Sequence, residues 1–113
     1  MKKIAATMLL ALLTSTAVAQ FTGPSATGGA STVAQIEEAR LGSYVTVTGH
    51  IVAHQRSDYF TFRDATGEIR VEIERSVWRN RPIAPETKVT LLAEVDRGAA
   101  GRYLWVKSLE VVD

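Results

Sequence analysis

Apolar and polar residues take turns along most of the second half of this chain, with a period of two. In SYVTVTGHIVAH, Ser43 to His54, Val45, Val47 and Ile51 fall on one face with Gly49 between them; Tyr44, Thr46, Thr48 and His50 fall on the other. That period belongs to a strand, whose successive side chains point to opposite faces. Gly49 stands where a side chain is expected, which fits a sharply curled strand or a bulge. DYFTFRDATGEIRVEIE, Asp58 to Glu74, alternates, turns at Asp64-Ala65-Thr66-Gly67 and alternates again. Phe60, Phe62, Ile69, Val71 and Ile73 mark the core side of this hairpin, and Tyr59, Thr61, Arg63, Glu68, Arg70, Glu72 and Glu74 its wet side. Val89, Leu91, Ala93 and Val95 define a fourth strand over Lys88 to Asp96, and Gly98-Ala99-Ala100-Gly101 turns it into a fifth over Tyr103 to Val112. There Leu104 and Val106 share a parity that Leu109 and Val111 do not, which places a bulge near Lys107 or Ser108.

Two segments break the alternation. STVAQIEEARLG, Ser31 to Gly42, offers Ser31 or Thr32 as N-cap, Val33 and Ile36 on one helical face and Gly42 as a stop, and predicts a short helix. RSVWRNRPIAPET is too polar and too interrupted by proline for a strand; Ser76 to Asn80 is expected to form a helical turn or two that sets Trp78 over the end of the sheet. Five strands, the first long and broken by a glycine, with a small helix between the third and fourth, predict an all-β five-stranded OB-fold Greek-key barrel over residues 31–113. Closing the sheet removes edges that would invite aggregation. QFTGPSATGGA, residues 20–30, has four Gly or Pro and no apolar period, and is expected to be a flexible lead-in.

The first nineteen residues differ in kind. Lys2 and Lys3 precede the apolar run Ile4 to Leu13 and then Ala17-Val18-Ala19, the order of a secretory signal peptide cleaved after Ala19. The run is well short of the roughly 20 residues that cross a bilayer, so no transmembrane segment is expected. Cleavage alters the charge: the full chain has 13 basic and 12 acidic residues, and loss of two lysines makes the remainder slightly acidic. The expected exported protein therefore has no overall bias toward polyanions. With no cysteine in its 113 residues, it depends on an apolar core rather than on disulfides.

These segments, in this order, resemble the bacterial OB-fold (BOF) family, the YgiW/YdeI group of small periplasmic stress-induced proteins. The resemblance is carried by FTGPSA at Phe21 to Ala26, the helix start at Thr32, VTVTGHIV at Val45 to Val52 and YFTFRDATGEIRVEI at Tyr59 to Ile73. Trp78 before the proline-containing link and the strand Val89 to Asp96 complete it. It implies a signal-bearing OB-fold barrel with no known catalytic residues and no established cofactor; no role attaches to FTGPSA.

The candidate chemistry is that of a binding face. Nucleic-acid sites on such barrels need a positive groove with stacking aromatics, but here Arg63 and Arg70 share the hairpin with Glu68, Glu72 and Glu74, so no nucleic acid is expected. Tyr44, His50, Tyr59, Arg63 and Arg70 suit an oligosaccharide better, through ring stacking and charged hydrogen bonds, with cell-envelope saccharide such as peptidoglycan as ligand. An envelope protein is the alternative partner. The plainer reading of these residues is a solvated sheet face with Arg–Glu pairs worth about 0.2–1 kcal/mol each. Arg75, Arg79 and Arg81 around Trp78 form either an anion or headgroup patch or, the reading favoured here, a solvated rim around a tryptophan that closes the barrel. No cysteine nucleophile, Gly-x-Ser-x-Gly elbow or phosphate loop is present, so an enzyme is not expected, nor a cofactor. His50 and His54 on one strand stand about 13 Å apart at roughly 3.3 Å per residue, too far to share a metal, and no metal site is assigned. The protein is expected to act as a monomer contributing to envelope stress tolerance.

Overall fold

A computed structural model of the chain describes residues 29–112. The expected signal peptide, its cleavage site and FTGPSA lie outside the described residues. Gly29–Ala30 forms β1, Val33–Ile36 α1, Tyr44–Arg56 β2, Tyr59–Asp64 β3, Gly67–Glu72 β4, Arg75–Trp78 α2, Lys88–Gly98 β5 and Gly101–Val111 β6. β2 carries the closure. Its first half runs antiparallel to β5, from Tyr44 opposite Glu94 to His50 opposite Lys88, and its second half antiparallel to β3, from His50 opposite Arg63 to Arg56 opposite Tyr59. β3 pairs with β4, β4 runs parallel to β6 through Val71–Leu104 and Glu72–Trp105, and β6 returns to β5. The five long strands thus make a closed OB-fold barrel with two short helices, as the alternation predicts.

The parity of each strand decides what is inside. Val45, Val47, Phe62, Val71, Ile73, Val89, Leu91, Ala93, Val95 and Leu104 have no exposed surface. Each large aliphatic or aromatic side chain among them contributes about 1.5–3 kcal/mol by leaving water. Leu92 faces Ser108 while Ala93 faces Val106, so Lys107 is the extra residue of a bulge at the expected place; it lets both Val106 and Leu109 reach the core. Gly49 is not itself bulged. A Cβ there would lie 2.3 Å from the Arg63 carbonyl oxygen and 3.0 Å from the Phe62 ring, so glycine lets β3 cross close over β2. The first of two irregularities in this pairing falls three residues later, where Ile51 pairs with Phe62 and Ala53 with Thr61, leaving Val52 over; the second leaves Gln55 over between His54 and Arg56.

One difference from the expected elements lies on the N-terminal side, beside the expected short helix. Gly29 and Ala30, within the segment expected as a flexible lead-in, form a short parallel strand against Val45 and Thr46. The helix is a single turn, Val33–Ile36, with Val33 and Ile36 buried, and its free N–H groups are satisfied by the hairpin turn. Val33 N–H donates to Asp64 Oδ2 (2.9 Å) and Ala34 N–H to Thr66 Oγ1 (3.0 Å), while Thr32 N–H donates to Gln35 Oε1 (2.9 Å). Asp64 Oδ1 also accepts from Thr66 N–H, the Thr66 hydroxyl and Gly67 N–H. One carboxylate therefore holds both the β3–β4 turn and the start of α1. Burial alone would raise its pKa, but these hydrogen bonds together leave it below its ordinary value.

Candidate functional site

The outward positions of β3, β4 and β6 meet at Arg70. Its guanidinium carbon lies 5.1 Å from the centre of the Tyr59 ring and 5.2 Å from that of Tyr103, and the two rings stand edge to face at 6.2 Å. Arg70 pairs with Thr61 and Tyr59 with Glu72, whereas Tyr103 arrives from β6 through the parallel closure of the barrel. A guanidinium held on aromatic faces gains about 0.5–2 kcal/mol per ring. Arg70 Nε is buried and has no hydrogen-bond partner among the described residues.

Charge is divided on either side of this stack. Toward the β5–β6 turn, Glu37, Gln55, Glu68, Arg70, Arg97 and Arg102 line a cleft of ≈ 640 Å³. On the other side stand Asp58, Glu72, Glu74 and Asp96. Burial first, then the charges of Glu74, Asp58 and Asp96, raise the pKa of Glu72 against an opposing pull from Lys107. The Tyr103 hydroxyl donates to Asp96 Oδ2 (3.2 Å); burial, the Asp96 charge and that hydrogen bond push its pKa up to about 12. Trp105, also outward on β6, donates from Nε1 to Glu74 Oε2 (3.3 Å) and lies beneath Lys107 Nζ, 3.3 Å from the ring centre.

Of the five residues singled out in the sequence, the structure brings Tyr59 and Arg70 together and sets the others apart. Arg63 is committed to Glu68, its Nε and Nη2 donating to Oε2 at 2.8 and 2.6 Å. It is the solvated cross-strand pair of the plainer reading. His50 lines a neighbouring cleft with Arg63 and Glu68, its Nδ1 3.0 Å from the Pro85 carbonyl oxygen. Tyr44 lies on β2 opposite Glu94. His54 Nε2 meets the Ser57 carbonyl oxygen at 2.8 Å and its ring packs on Phe60. Tyr103, Arg97 and Arg102 are the additions. Tyr103 has the outward parity of the last strand, but only the β4–β6 closure reveals that it lies beside Arg70.

Trp78 packs on Phe60 with ring centres 5.2 Å apart and joins the edge of the core, as the structural reading of that link expects. Arg81 is drawn back onto the helix end, donating to the carbonyl oxygens of Trp78 (3.0 Å) and Val77 (2.8 Å).

The sequence of the bacterial OB-fold (BOF) protein family matches residues 13–111. The chain belongs to that family. The calcium-regulated OB-fold protein CarO of Pseudomonas aeruginosa is 39% identical over 99 residues, covering 88% of this chain and 85% of its own. Protein YgiW of Escherichia coli is 31% identical over an alignment spanning 100% of this chain and 99% of its own. The solved structure of E. coli YgiW superposes with a TM-score of 0.72 at 29% identity, covering 82% of this chain and all of that one. This BOF chain thus shares its barrel with relatives whose names state no catalytic activity.

Proposed function

We propose that this BOF protein is a non-enzymatic, periplasmic binding module that holds cell-envelope saccharide on the Tyr59–Arg70–Tyr103 face and so contributes to envelope stress tolerance. The observation that carries this reading is the stack itself: two tyrosine rings and a flat guanidinium on the outer surface of the barrel, bordered by both arginines and carboxylates. Sugars present apolar ring faces and a rim of hydroxyls that both donate and accept, so they are met by aromatic surface next to groups of both kinds. A nucleic-acid backbone would be repelled by the carboxylates beside the only such stack among the described residues.

The test is retention of the mature protein, residues 20–113, on purified peptidoglycan. Retention that falls with Tyr103→Ala and with Tyr59→Ala, while both variants keep the wild-type circular-dichroism spectrum, is the expected result. No retention of the wild type, or retention indifferent to both substitutions, rejects the reading.

A further inference from the structure

The cleft on the basic side of the stack has a charge balance that the barrel itself does not explain. Among the described residues the ion pairs are Arg63–Glu68 and Lys107–Glu94. Arg70, Arg97 and Arg102 line one cleft, and among the described residues none has a carboxylate within ion-pairing distance. Glu68, which shares that cleft, is already occupied by Arg63, leaving Glu37 as its other acid. Arg102 gives one nitrogen to the Ala39 carbonyl oxygen (2.8 Å), which fixes it at the cleft wall. Arg70 is fixed by its two tyrosines, and its Nε is desolvated without an acceptor, an arrangement that costs free energy unless something else repays it. Gly98 lies beside the stack, where a Cβ would make ordinary contact at 3.5 Å with Arg70 Nη2 and the Tyr103 ring.

We infer that this cleft is a carboxylate receptor, and that the saccharide it takes carries an acidic group docked on Arg70 with Arg97 and Arg102 beside it. The inference rests on the saccharide reading above and narrows it to wall saccharide that carries carboxylates, on the sugar itself or on its attached peptide. A planar guanidinium presents paired N–H donors that match the two oxygens of a carboxylate, and one immobilised beforehand loses little freedom on binding. The carboxylates on the far side of the stack then set polarity: the acidic group of the ligand points to the β5–β6 turn and its hydroxyls toward Glu72 and Asp96.

The experiment compares native peptidoglycan with the same material after its carboxylates have been converted to amides. The mature protein is expected to be retained on native wall, and about tenfold or more less on amidated wall, the ratio for losing a hydrogen bond to a charged group. Arg70→Gln and Arg97→Gln are expected to remove most of the difference between the two materials; Arg97 lies exposed near the end of β5, so its replacement reads charge without disturbing the core. Retention on native wall is also expected to weaken with added salt. Equal retention on native and amidated wall overturns the carboxylate receptor while leaving the saccharide reading standing. Retention on neither material overturns both.

Discussion

Replacing Gly49 with alanine puts a methyl group into the main chain of the neighbouring strand. The new Cβ would lie 2.3 Å from the Arg63 carbonyl oxygen and 3.0 Å from the Phe62 ring, against 3.4–4 Å for ordinary contact. Neither neighbour is a free side-chain end: Arg63 O is backbone in the register His50–Arg63, and Phe62 is fully buried. β2 and β3 must part by about 1 Å, at a cost of about 1–3 kcal/mol for overpacking and about 0.5–1.5 kcal/mol for a weakened ladder hydrogen bond. The sum, about 1.5–4.5 kcal/mol, corresponds to a fall in Tm of roughly 10–25 °C for a domain of this size. Thermal melts followed by far-ultraviolet circular dichroism measure it, with Thr48→Ala as the neighbouring control. That change removes only the exposed Thr48–Thr90 hydroxyl pair (2.9 Å) and is expected to lower Tm by a few degrees. A Gly49→Ala protein melting as high as Thr48→Ala would refute the close crossing that closes the barrel.

Other consequences follow from the same contacts. Asp64→Ala should cost about 1–3 kcal/mol, since it strips acceptors from α1 and from the β3–β4 turn. Because the folded-state pKa of Asp64 lies below its ordinary 3.8, that contribution is complete above 3.8 and disappears as pH falls through the lower folded value, so acid melts of wild type and Asp64→Asn should converge only at strongly acidic pH. Ultraviolet titration should show one phenol ionising near 12 that is lost in Tyr103→Phe and moves down in Asp96→Asn; folding stability linked to it is full below 10 and is lost as pH rises through about 12. Trp78→Ala should lower stability by about 2–4 kcal/mol by opening the edge of the core at Phe60; an unchanged melt with lost liposome binding would make it an interfacial anchor instead.

What the sequence made legible is local. Alternation within each strand separated Phe62, Val71 and Leu91 from the wet face without reference to any other strand, and the parity change between Val106 and Leu109 located the Lys107 bulge. The binding face depends instead on which strands become neighbours. Tyr59 and Arg70 belong to one hairpin, so their shared face was readable; Tyr103 reaches them only because β6 runs parallel to β4, a contact between segments more than thirty residues apart. His50 and Arg63 have the right parity yet face another cleft, since β2 leaves β5 for β3 at just that point and turns the outward direction with it. Asp64 was readable as a turn residue, but its hold on Val33 required the helix to dock against the hairpin.

Ligand binding on the outer face around Arg70 is tested most directly by backbone amide chemical shifts recorded by NMR while soluble cell-wall glycan fragments are added to the mature protein. Shifts concentrated at Tyr59, Thr61, Arg70 and Gly98 to Tyr103, fading in Tyr103→Ala, are expected. Shifts centred on Trp78 and Arg79, or none at saturating glycan, would contradict it.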